Sequence, residues 1–118
     1  MDSLERVAIY KLHAEFCKTL ADTNRLLIIT ELAKGEASVG ELTRKLNLSQ
    51  SNMSRHLGLM RERGLVLTRR EGSNVFYRLA DLRIAEAINL LKQVQADRIE
   101  KQRSMATEVN EIMEQKGE

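Results

Sequence analysis

Proline and tryptophan are absent from this chain of 118 residues, and cysteine occurs once. Without proline no helix is broken by ring geometry, and with only two Tyr and two Phe there is little of the aromatic material that β-sandwich cores use. The expectation is a mainly helical protein with an aliphatic core. A single cysteine cannot form a disulfide within the chain, which removes the disulfide-stapled secreted scaffolds. No stretch approaches the roughly 18 consecutive apolar residues that a membrane span needs, and the opening Met1 to Glu5 has no basic segment leading into an apolar one. These absences predict a cytoplasmic protein with no membrane partner. A Gly-rich phosphate loop, a carboxylate pair and a nucleophile beside a base are also missing, so neither an enzyme nor a cofactor is expected.

What is present is unevenly placed. Net charge is only +2, yet between Arg44 and Arg78 eight basic residues (Arg44, Lys45, Arg55, Arg61, Arg63, Arg69, Arg70, Arg78) stand against two acids (Glu62, Glu71), a balance of +6 that leaves the rest of the chain at −4. A concentrated basic block is the footprint of a phosphate-binding face; its plain alternative is a solvated basic surface.

The same block holds two short helical patterns. Val39 to Leu46 is preceded by Ser38, with Glu41 three residues further on, which is a capping-box start. Asn47, Leu48 and Ser49 turn the chain. A second pattern runs from Gln50 to Arg63, with Ser49 as N-cap and Gly64 just past the end. Met53, Leu57 and Met60 recur at helical spacing and face a core, leaving Gln50, Ser51, Ser54, Arg55, Gly58 and Arg61 on the opposite side. His56 lies beside the core stripe, where a packed, hydrogen-bonded histidine and a phosphate contact are both open. After Gly64 the period changes. Leu65 to Arg70 and Val75 to Leu79 read as strands joined by the turn residues Glu71 to Asn74. Val75, Tyr77 and Leu79 share the face toward the helices. Arg69 and Arg70 near the hairpin tip can lie along a phosphate strand or in a minor groove, or serve as edge-strand charges that block aggregation. Two helices across a tight turn (residues 38–63) followed by a β-hairpin wing (residues 65–79) form a winged helix-turn-helix, so the fold class is mainly α with a small hairpin, and double-stranded DNA is the partner.

The flanks are apolar on their own account. Leu4, Val7, Ala8, Leu12, Phe16 and Leu20 make an amphipathic first helix, and a second, starting after Asp22, carries Leu26, Leu27, Ile29 and Leu32 toward Gly35. From Asp81, a good N-cap, a pattern without proline or glycine runs to about Gln115. Its first half (Leu82, Ile84, Ala85, Ala87, Ile88, Leu90, Leu91, Val94) is apolar on more than one face, more than a lone surface helix can bury. Residues 1–20 and 81–115 are therefore read as dimerisation helices of one domain spanning 1–118, and the chain as a homodimer. After the polar stretch Glu100 to Ser104 a narrow stripe resumes at Met105, Val109, Ile112 and Met113. A continuous helix would span on the order of 50 Å at about 1.5 Å per residue; a break near Ser104 is the alternative.

Leu20-Ala-Asp-Thr-Asn-Arg25, then Leu48-Ser-Gln-Ser-Asn-Met-Ser-Arg-His-Leu57 and Arg63-Gly-Leu-Val66, resembles the ArsR/SmtB family of bacterial and archaeal regulators. The likeness covers about residues 5 to 95. It implies a homodimeric winged-helix repressor whose first and last helices form the dimer interface, with DNA-reading positions at Gln50, Ser51, Ser54, Arg55 and His56, wing support from Arg69 and Arg70, and Ser38 counted with them at the head of the first motif helix. Thr23 stands where the family usually has proline, at little cost. Gly58 stands where lysine or arginine is common, which forgoes a phosphate contact and about 1 kcal/mol of helix propensity against alanine.

The family's ligand sites do not carry over. Metal-sensing relatives place two thiolates in a Cys-Val-Cys segment where this chain has Ser38-Val-Gly40. Others place carboxylate and histidine ligands on the last helix at positions that fall here on Asp81, Arg83, Val94 and Asp97, and arginine and valine cannot ligate zinc. His13 and Cys17, four apart on one helix face, remain. Two copies of each across a dimer axis would supply four tetrahedral ligands, or Cys17 could act as a redox or haem-binding thiol; the plain alternative is a small packed cysteine beside a satisfied histidine. Three functions follow: a repressor whose inducer is unknown and is not a metal at the family sites, a metal-, haem- or thiol-responsive sensor through His13 and Cys17, and a winged-helix protein-interaction module, which the basic face disfavours.

Overall fold

The structure, a computed structural model, describes residues 2–116; Met1, included in the expected first dimerisation segment, lies outside them, as do Gly117 and Glu118. Eight elements follow one another: α1 (Ser3–Leu20), α2 (Thr23–Leu32), β1 (Ala37–Ser38), α3 (Val39–Leu46), α4 (Gln50–Glu62), β2 (Val66–Glu71), β3 (Asn74–Leu79) and α5 (Arg83–Lys116). Contacts divide the chain after Ala85 into two units, the first holding α1 to β3 and the second the body of α5.

The helix starts are set by side-chain caps. Asp2 accepts from the Glu5 N–H while Glu5 reaches back to the Asp2 N–H, a reciprocal box on α1. Asp22 caps α2 through the Arg25 N–H at 3.0 Å, Ser38 caps α3 through the Glu41 N–H at 3.2 Å, and Ser49 caps α4 through the Asn52 N–H at 3.2 Å. At Ser38 the box is incomplete, because the Glu41 carboxylate accepts from the Ser38 hydroxyl and not from its backbone. The helix ends are equally local. Asn47 adopts the left-handed conformation (φ 53°) that terminates α3. Gly64, at φ 77°, ends α4 in a Schellman arrangement: its N–H donates to the Arg61 carbonyl, and that of Leu65 donates to the Met60 carbonyl at 2.8 Å. Leu65 thereby enters the core as the chain turns into β2.

The sheet has one strand more than the hairpin read from sequence. β1 pairs antiparallel with β3 (Ala37 opposite Tyr77, Ser38 opposite Phe76), so the order is β1-β3-β2. Two residues carry no visible period, which is why sequence pattern missed it. β2 and β3 run from Val66 opposite Leu79 to Glu71 opposite Asn74, and Gly72 at φ 62° makes the two-residue turn.

The core of the first unit is aliphatic. Ile28, Ile29, Leu32, Leu42, Met53, Leu57, Met60, Leu65 and Val66 are at most 2% exposed, each worth roughly 1.5–3 kcal/mol of burial. In α2 the expected core face is shifted: Ile28 is buried and Leu27 is 44% exposed. An all-apolar run from Leu26 to Ile29 offers no polar residue to mark the inward side, so its phase was not readable. α5 is a continuous helix of 34 residues through Ser104, so the polar stretch Glu100 to Ser104 changes the helix surface without breaking it.

Candidate nucleic-acid interface

The α4 helix has two chemically different sides. Met53, Leu57 and Met60 are fully buried, while Gln50, Ser51, Asn52, Ser54, Arg55, Gly58 and Arg61 are exposed. The Ser49 hydroxyl accepts from the Asn52 N–H and lies 3.3 Å from the Ser51 hydroxyl. Gln50, Ser54 and Arg55 keep their side chains uncommitted, and Arg44, Lys45, Arg61, Arg63 and Arg70 likewise make no ion pair among the described residues. Asn52, exposed in the first turn of α4, belongs to this surface and was not singled out from the sequence, because its spacing puts it on the margin of the outward face. At Gly58 a Cβ would meet nothing within 4 Å, so no close packing requires glycine there.

Two expected contacts are otherwise engaged. His56 is 5% exposed, with Nδ1 3.4 Å from Nη1 of Arg25. Burial, reinforced by the cations of Arg25 and Arg55 and opposed by Asp22, holds its pKa below the usual histidine value. It sits with the core stripe and not on the outward face, the packed, hydrogen-bonded alternative of the two the sequence leaves open. Ser38 is half-buried, and its hydroxyl both accepts from and donates to Glu41, so its place is that of a helix cap.

The wing arginines, expected to be equivalent, differ. The Arg69 Nε and Nη2 form a fork on Glu36, with Nη2 to Oε1 at 2.6 Å; Nη1 reaches Glu71 at 2.8 Å. Its guanidinium carbon also stands 4.7 Å from the centroid of the Phe76 ring. The Glu36 and Glu71 carboxylates raise the Arg69 pKa, and the same hydrogen bonds, with Arg69 first and Arg78 adding charge, lower that of Glu36. Arg69 therefore ties the loop before β1 to the hairpin, and its charge is balanced locally. Arg70 alternates to the other side of β2 and is exposed without such partners. Glu36 was invisible as a partner, since nothing in the sequence links residues 33 positions apart.

On the flanks, Cys17 Sγ lies 3.6 Å from His13 Nε2, both exposed on α1. Among the described residues no three His, Cys, Asp or Glu side chains gather as a metal site. Arg83 holds Asp81 through Nε and Nη2, the latter at 2.7 Å, and through its N–H at 2.9 Å, which depresses the Asp81 pKa to about 2. No described helix is long and apolar enough to cross a membrane.

Known proteins share this arrangement. The sequence pattern described as "Bacterial regulatory protein, arsR family" matches residues 22–68, from the α2 cap into β2. A biofilm growth-associated repressor of Agrobacterium fabrum is 50% identical over 74 residues, 63% of this chain and 63% of that protein's own length. The transcriptional activator HlyU of Vibrio cholerae is 44% identical over 77 residues, 65% of this chain and 71% of its own. The solution structure of a homodimeric winged helix-turn-helix DNA-binding domain from Mycobacterium bovis superposes with a TM-score of 0.75 at 30% identity, covering 84% of this chain and 92% of that one. With its caps, wing and outward polar helix face on that common frame, the chain belongs to the ArsR family of winged helix-turn-helix transcriptional regulators.

Proposed function

We propose that this chain is a homodimeric transcriptional repressor that reads a pseudo-palindromic duplex operator in the cytoplasm. One observation carries the reading: α4 presents Gln50, Ser51, Ser54 and Arg55 as an exposed polar row on a helix whose other side is locked into the core. Such a row fits the major groove, where Gln and Arg discriminate base edges by paired hydrogen bonds. Arg70 on the wing, with Arg44 and Lys45 at the end of α3, supplies charge for phosphate. Dimerisation follows from apolar side chains that this chain alone leaves in water: Leu4, Val7, Leu12 on α1 and Leu90, Leu91, Val94 on α5 are 51 to 82% exposed. Repression is favoured over activation by the 50% identity to the Agrobacterium repressor against 44% to the Vibrio activator.

The test is selection of duplexes from a random pool by the purified chain, with footprinting and sedimentation. The expected result is a dimer protecting two inverted half-sites separated by about one helical turn, roughly 10 to 10.5 base pairs, or a multiple of it. A monomer at micromolar concentration, or protection of a single unrepeated site, refutes the reading. A second function, thiol sensing through Cys17, is favoured by the exposed Sγ beside His13. Release of the selected DNA by peroxide or haem in wild type but not in Cys17→Ser would establish it.

A further inference from the structure

Arg25 stands where three helices meet. Its Nε donates to the Thr19 carbonyl in the last turn of α1, its N–H donates to the Asp22 carboxylate that caps α2, and its Nη1 lies 3.4 Å from His56 Nδ1 inside α4. The Thr19 carbonyl is among the last four of α1, which have no donor within their own helix. The N–H groups of Ala21 and Asp22 serve the carbonyls of Lys18 and Leu20 on either side, and Arg25 supplies the donor for the one between. Thr19 and His56 are each 5% exposed, so water does not compete for these contacts. A guanidinium presents its donors in a fixed planar fork; anchoring it at both ends fixes an angle as well as a distance.

We propose that the Arg25–His56 contact is a positioning joint that holds the recognition helix α4 at a set angle to the end of α1 and thereby fixes the half-site spacing the dimer accepts. It rests on the reading above, in which α1 belongs to the dimer interface and α4 to the DNA face. The leverage is sufficient. A helix of 13 residues is about 20 Å long, and a pivot of about 10° moves its far end by about 3.4 Å, the rise of one base pair along a strand. For Nδ1 to accept from Arg25 the imidazole must be neutral, with its proton on Nε2. The charged groups facing it are Asp22, Arg25 and Arg55. Protonation removes the acceptor and sets a cation against the guanidinium, so acid opens the joint.

The experiment uses full-length protein and duplexes selected by it, with the half-sites left in place or moved by one base pair. Wild type is expected to lose about tenfold or more in affinity on the shift, comparable with one mismatched pair. His56→Leu, apolar in a buried position, is expected to lose less than about threefold, its affinity for a lone half-site unchanged, because the helix still reads bases but no longer holds its angle. His56→Asn, whose Oδ1 stands near the place of Nδ1 and does not titrate, is expected to retain the wild-type discrimination. Lowering the pH until NMR shows His56 protonated should loosen wild type and not His56→Asn. A folded His56→Leu that discriminates as wild type does, or a His56→Asn as loose as His56→Leu, overturns the joint. If His56→Leu fails to fold by circular dichroism, the acid arm decides, and unchanged discrimination with His56 protonated by NMR overturns it. Wild type that selects no duplex sinks the underlying reading instead.

Discussion

Leucines and methionines at helical spacing meet opposite fates in two regions of this protein. On α4, Met53, Leu57 and Met60 are 0% exposed, whereas on α1 Leu4 is 82% and Leu12 72% exposed, and on α5 Leu91 is 66% exposed. Residue type does not separate the two groups. The difference is that α4 packs against α3 and β2 of its own chain, while the flanking helices leave these apolar side chains exposed. The helix-turn-helix closes its core within one polypeptide; the flanks leave apolar surface in water.

The largest effects should come from substitutions that act on one region only. Leu12→Glu with Leu91→Glu puts charges where two copies are expected to meet, at a cost of several kcal/mol if both are desolvated. Sedimentation should show monomers, with operator affinity falling to that of a single half-site. Leu57→Ala opens the closed region instead, and should lower unfolding free energy by about 2–5 kcal/mol in urea titration. A dimer that survives both charges would show that the flanks are not where copies meet. Next in size are Arg55→Ala and Gln50→Ala, each expected to weaken specific binding by roughly 1–3 kcal/mol and to relax base preference at one position. Uniform weakening across all sequences would move these residues from base edges to phosphates.

The comparison also explains what the sequence made legible. Ser38, Ser49, Asn47 and Gly64 act within a few residues of themselves, and so helices α3 and α4 were readable almost to their ends. The polar row on α4 follows from the same periodicity. What escaped depends on contacts between distant residues: β1 exists only through its pairing with β3, Glu36 meets Arg69 across 33 positions, and His56 turns inward to Arg25 across 31. A histidine one step from a core stripe has no sequence mark of its burial. The sequence does not fix the continuity of α5 through Ser104 for the converse reason, since polar helix and polar loop share a composition.

A smaller effect separates the wing arginines. Arg70→Ala should weaken specific and non-specific DNA alike and flatten the slope of log affinity against log salt by about one unit, as loss of a phosphate contact does. Arg69→Ala should leave that slope nearly unchanged while loosening the wing, because its charge is already balanced by Glu36 and Glu71. Heteronuclear relaxation of the hairpin amides would register the loosening. Equal changes of slope in the two variants would mean that DNA competes successfully for Arg69 against both carboxylates.

The smallest expected effect is none, and it tests whether the flanks are completed by protein or by metal. Zinc, cobalt or arsenite should not release this chain from its operator through the sites used by metal-sensing members of the family. Ser38 and Gly40 offer no thiolate where soft ions would be held. On α5 the obstacle is electrostatic as well as chemical: the Arg83 guanidinium lies against Asp81 with Nη2 at 2.7 Å, so a divalent cation would have to displace a cation already paired there, at a position that supplies no replacement ligand. Titrating zinc into the chain on labelled operator should leave the binding isotherm unmoved. In Arg83→His the obstacle becomes a ligand, yet Val94 still leaves the set one short, so weak zinc binding without DNA release is the outcome expected of that variant. Zinc-driven release of the wild type that persists in Cys17→Ser would place a metal site in the flanks that neither the family positions nor the His13–Cys17 pair provides.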